Sequence, residues 1–105
     1  MTASVSSQSA EGVVTVVIAG EMDMGVGARV DAEIGVAVTA FGVRDVVVDL
    51  SQVAFMDSAG IATLIRGRRQ AAEANVGYRV VGANGMVRRV LDLTGVWQYL
   101  SGEQI

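Results

Sequence analysis

The chain has 105 residues, 51% of them apolar, and a formal net charge of −3. At this length one domain is expected over residues 1–105, burying roughly two-thirds of its unfolded surface around a core at about 13–100. Cysteine, histidine, lysine and proline are all absent, which removes disulfides, thiolate metal sites, thiol catalysis and the commonest general base.

Residues 1–12 are small and polar, so residues 1–8 are expected to be a weak edge strand or disordered. They show no basic flank followed by an apolar run. Residues 13–18 (VVTVVI) form a β-branched run between Gly12 and Gly20, the mark of a buried strand. Gly20-Glu21-Met22-Asp23 makes an acidic turn. Val26, Val30, Ile34 and Val38 then recur with helical period, weakened by Gly25, Gly27 and Gly35. Residues 41–44 connect to a second strand at 46–50.

An extended polar crossing follows, in which Val53 and Phe55, two apart, are expected to share a side. From Ser58 the helical period returns, with Ile61, Leu64, Ile65 and Ala72 on one stripe and Asn75 and Gly77 supplying the stop. Arg66, Arg68 and Arg69 read as a solvated helix face. Residues 78–81 are a third short strand, Asn84 is a candidate helix cap, and Val87, Val90 and Leu91 line a helix closed by Gly95. Residues 96–100 read as a final short strand. Strands alternating with helices imply an α/β fold with parallel crossovers.

Several motifs fail on their own chemistry. Gly25-x-Gly27 has Val30 where a dinucleotide fingerprint needs a small residue, and Glu21 and Asp23 would repel a pyrophosphate. Ser58 sits at a strand–helix junction, yet Met56 stands where a nucleophile elbow needs glycine, and no histidine or lysine can serve as base. An aspartyl-phosphate site at Asp49 or Asp57 would lack its lysine partner. No apolar run approaches the ~20 residues of a membrane span, and the net charge argues against a nucleic-acid footprint. A cytoplasmic protein that is not an enzyme and needs no cofactor or metal is expected. Asp57-Ser58-Ala59-Gly60 remains, with Asp57 or Ser58 capping the helix.

These segments together resemble the STAS domain of anti-sigma factor antagonists and sulphate-transporter tails. Gly20-Glu21-Met22-Asp23 is similar to the family's acidic turn. Val46-Val47-Val48-Asp49-Leu50-Ser51 with Phe55-Met56-Asp57-Ser58-Ala59-Gly60-Ile61 resembles its signature strand and loop. Val90-Leu91-Asp92-Leu93-Thr94-Gly95 resembles its helix end. The resemblance implies a four- to five-stranded, mostly parallel sheet with an N-terminal edge strand, backed by helices on one face. The family's C-terminal helix is expected to be shortened or absent.

The resemblance also implies an anti-sigma factor antagonist. Such a protein binds an anti-sigma factor that is a serine kinase, releases a bacterial sigma factor in a stress response, and is switched off when Ser58 is phosphorylated. A metal-dependent serine phosphatase would reverse the modification. Asp23, Asp57, Ser58, Ala59 and Gly60 would meet the partner, together with the 82–85 loop. Ala59 replaces a second serine and leaves Ser58 as the acceptor. The same fold also serves as a stressosome scaffold or a lipid-transport subunit, and a weak homodimer is compatible with either role.

Overall fold

Four strands form one sheet in the order β1 (Ser4–Ala10), β2 (Val13–Met22), β3 (Asp45–Met56), β4 (Gly77–Val81). Between and after them come α1 (Gly27–Val38), α2 (Ser58–Glu73), α3 (Gly85–Leu93) and α4 (Trp97–Ser101). This computed structural model describes residues 3–102; the parts of the sequence reading that touch residues 1–2 and 103–105 lie outside them.

β1 pairs antiparallel with β2 at every position from Ser4↔Ala19 to Ala10↔Val13. Glu11 and Gly12 close the hairpin, both at positive φ (55° and 84°), the combination whose twist matches the flanking strands. The N-terminal edge strand expected before the core is therefore present and fully paired from Ser4 to Ala10. Its serines carry little β signal, so the pairing comes from the turn and from β2.

β2, β3 and β4 run parallel. Val14, Val16 and Ile18 are buried with Val46, Val48, Leu50 and Val80, against Val30 and Ile34 of α1 and Leu64 of α2. The intervening Thr15 and Val17 stay half-exposed, as expected where helices cover one face of a sheet.

The crossing expected after Leu50 is strand. β3 continues to Met56 through two irregularities, at each of which it spends one residue more than β2. An extra residue reverses the side-chain alternation, so the buried positions after Leu50 are Val53 and Met56. Val53 and Phe55 consequently do not share a side: Val53 is 3% exposed and Phe55 39%.

α2 also turns differently from its expected stripe. Its buried residues are Gly60, Thr63, Leu64, Gly67 and Ala71, while Ala72 faces solvent and Ile61 and Ile65 are half-buried. The two glycines set this rotation by allowing close approach. A Cβ on Gly67 would lie 2.7 Å from both Ile34 Cδ1 and Tyr78 Oη.

Tyr78 Oη donates to the Leu64 carbonyl at 2.8 Å. Burial pushes the Tyr78 phenol above its usual range, with Arg68 pulling the other way.

α2 ends as expected at Asn75 (φ 59°). Asn75 N donates to Ala72 O at 3.2 Å and Val76 N to Ala71 O at 2.9 Å, the paired bonds of a Schellman stop. α3 ends the same way at Gly95, with Gly95 N donating to Asp92 O and Val96 N to Leu91 O. That reversal feeds a helical turn, α4, where a strand was expected at 96–100; Trp97 and Leu100, three apart, are buried. Asn84 holds the N-cap position of α3, as expected, but makes no side-chain capping bond; its amide donates to the Gly82 and Ser51 carbonyls.

Candidate functional site

The ends of β2 and β3 lie side by side, Met22 opposite Met56. Asp57 N donates to the Met22 carbonyl at 3.4 Å. Asp23 and Ser58, each the next residue along from that contact, therefore flank one junction. Asp23 Oδ1 accepts from Gly25 N at 2.9 Å, and Val26 N donates to Asp23 O at 3.2 Å. Gly25 thus serves a tight turn and Gly27 a close crossing, since a Cβ on Gly27 would lie 3.0 Å from Thr63 Oγ1.

Asp57, in extended conformation, caps α2, leaving Ser58 as the first helical residue. Asp57 Oδ1 accepts from Ala59 N at 2.9 Å and Gly60 N at 3.1 Å. Either Asp57 or Ser58 had the chemistry to cap, and the backbone chose the carboxylate. Ser58 is exposed, and among the described residues nothing bonds its hydroxyl. Gly60 is buried against the end of β2.

A polar chain that the sequence reading missed holds the first turns of α2. Asp31 of α1 pairs with Arg66 at 3.2 Å. Arg66 Nη2 donates to Thr63 Oγ1 at 3.0 Å, and Thr63 Oγ1 donates to Ala59 O at 2.9 Å. Thr63 is buried, a threonine inside a helical stripe whose hydroxyl finds its own backbone.

Of the arginine cluster, Arg66 and Arg69 are exposed as expected, Arg66 while engaged in these bonds; Arg68 is half-buried and stacks 4.3 Å above the Tyr99 ring.

Two exposed apolar side chains stand beside the loop. Met24 is 83% exposed, one residue after Asp23, and Phe55 lies two before Asp57. Methionines on both sides of an acidic residue in a turn were the available signal: Met22 faces in and Met24 out. The structure thus brings Asp23, Asp57, Ser58, Ala59 and Gly60 together.

The 82–85 loop sits beside the middle of β3, with Gly82 against Asp49 and Ser51 and the Asn84 amide donating to the Ser51 carbonyl. An open groove of about 590 Å³ runs along α3 between Asn84 and Leu93 and does not include Ser58. No helix among the described residues is long and apolar enough to cross a membrane, and no group of three or more acidic side chains there could hold a metal ion.

The family model described as the STAS domain matches residues 4–102. An anti-sigma factor antagonist from Mycobacterium paratuberculosis superposes with a TM-score of 0.80 at 29% identity, covering 94% of this chain and 83% of that one. The anti-sigma factor antagonist SpoIIAA of Bacillus, unphosphorylated, gives 0.75 at 20% identity over 90% of this chain and 84% of its own. A sulfate transporter family protein from Wolinella succinogenes gives 0.73 at 17% over 88% and 74%. At identities of 17% and 20% the last two bear on the fold alone.

Proposed function

This chain belongs to the STAS domain family, and from that membership we propose that it is an anti-sigma factor antagonist switched by phosphorylation of Ser58. Unmodified, it binds an anti-sigma factor with serine kinase activity and so releases a sigma factor; phosphorylated, it lets go until a serine phosphatase restores the hydroxyl. The observation that carries this reading is the free, exposed Ser58 hydroxyl on a helix start already capped by Asp57.

The capping arrangement decides how a phosphate would act. It would add about −1.5 to −2 charges, and Asp57 already occupies the Ala59 and Gly60 N–H groups that a helix N-terminus normally offers an anion. Arg66, on the same helix, is engaged with Asp31 and Thr63. The added charge therefore joins Asp57 and Asp23 on a helix whose nearest arginine, Arg66, is already engaged, and a docked partner must desolvate it. A hundredfold weakening requires only ~2.7 kcal/mol, within the cost of burying an unpaired charge. Local repulsion is sufficient, with Met24 and Phe55 supplying apolar contact to the unmodified form.

Incubation with the cognate kinase and ATP should add one phosphate, located on Ser58 by mass spectrometry. Thr63 is buried with its hydroxyl engaged, so a phosphate found there or on Ser51 would refute the assignment. Ser58→Ala should remain bound to the kinase and Ser58→Asp should bind weakly; equal affinities would sink the switch.

A further inference from the structure

We propose that the outer edge of β1 pairs antiparallel with β1 of a second copy of this chain, centred on Ser7, setting Arg29 of each copy against Glu11 of the other. β1 is the end strand of the sheet, so half of its backbone hydrogen-bonding groups face outward without a strand partner. Edge strands usually resist such pairing with charges, prolines or bulges. β1 has none of these: Ser4-Val5-Ser6-Ser7-Gln8-Ser9-Ala10 is uncharged and pairs with β2 without a register shift. The opposite edge differs, since β4 carries Arg79 and packs beside α4.

An uncharged strand is compatible with its own copy, because no like charges meet when two-fold symmetry sets the same strand against itself. Pairing centred on Ser7 places Ser6 opposite Gln8 of the second copy, a hydroxyl facing an amide, and Val5 opposite Ser9. Two steps further, past Ser4 opposite Ala10, Ala3 falls opposite Glu11.

That position carries the argument for a second copy as the occupant. Arg29 Nη1 donates to the Ala3 carbonyl at 2.8 Å, so its charge stands at the start of β1. Glu11 stands at the other end, in the hairpin turn. Among the described residues neither Arg29 nor the Glu11 carboxylate has an ion pair. The two-fold axis brings this cation and this anion together twice. The pairing engages neither Ser58 nor Asp23 and is independent of the switch.

Sedimentation equilibrium of the full chain tests this over about 10 μM to 1 mM, the range in which a small interface dissociates. The unaltered chain should show a concentration-dependent dimer. Glu11→Arg and Arg29→Glu, each folded by circular dichroism, should each weaken it about tenfold by replacing two exposed attractions with two repulsions. An equimolar mixture of the two variants should recover the original affinity, because both contacts in the mixed dimer are again opposite in sign. A chain that stays monomeric at the highest concentration would overturn the proposal. So would a dimer that neither variant weakens, or a mixture that recovers nothing.

Discussion

Replacing Gly60 by alanine would place a Cβ 2.6 Å from the Met22 carbonyl oxygen and 2.8 Å from Met56 Cγ. The oxygen belongs to the β2 backbone and cannot swing aside as the end of a side chain can. Two effects compete. Alanine is favoured over glycine inside a helix by up to ~1 kcal/mol, whereas overpacking a tight contact costs about 1–3 kcal/mol.

With immovable backbone on one side, overpacking wins, and a net loss of about 1–2 kcal/mol is expected. In a chain of this size that lowers Tm by roughly 5–10 °C. Gly35→Ala is the matched control. Its new Cβ would meet only Gln70 Oε1, at 3.3 Å, the far end of a flexible side chain. Propensity then wins, and a gain of about 0.5–1 kcal/mol is expected. Urea unfolding followed by the fluorescence of Trp97, the only tryptophan and a buried one, measures both. The reasoning fails if the two alanines shift stability in the same direction.

Asp57→Ala removes both capping bonds to α2 and should cost about 1 kcal/mol, while Asp57→Asn should retain most of that stability; urea midpoints compare the three proteins. Ser58→Ala removes a hydroxyl that bonds nothing and should change stability by less than about 0.5 kcal/mol, so its effects on partner affinity can be read without a folding correction; a large shift in the midpoint would show that Ser58 is structural. Tyr78 makes stability fall in alkali. Its unfolded phenol ionises near pH ~10 while the folded one, raised by burial, stays protonated. Its stabilising contribution is complete below that pH and is lost above it at about 1.4 kcal/mol per pH unit. The chain has no lysine or cysteine, and Tyr78→Phe should flatten the alkaline limb; an unchanged slope would refute the assignment.

Local patterns made much of this molecule legible. The β-branched runs within β2 and β3, the helical periods of α1, α2 and α3, and the stops at Asn75 and Gly95 each depend on a few neighbouring residues. A strand followed by Asp57-Ser58-Ala59-Gly60 at a helix start was readable for the same reason, and so was the glycine needed for close approach. The order of these pieces then pointed to the family.

What the sequence left open depends on atoms distant along the chain. β1 carries a weak strand pattern and is ordered by its pairing with β2. The irregularities in β3 turn Val53 and Met56 inward and Phe55 out, a choice made by register against β2. Residues 97–101 coil because buried Trp97 and Leu100 must both reach the core just after a helix reversal. The division of labour in the site is tertiary too. Asp57 and Ser58 can each cap a helix in isolation, and the path of the chain out of β3, tied by Asp57 N–H to the Met22 carbonyl, gives that role to the carboxylate. The sequence determined that a serine would stand at this helix start; the packing of Gly60 against β2 and the cap at Asp57 decided that its hydroxyl would be free.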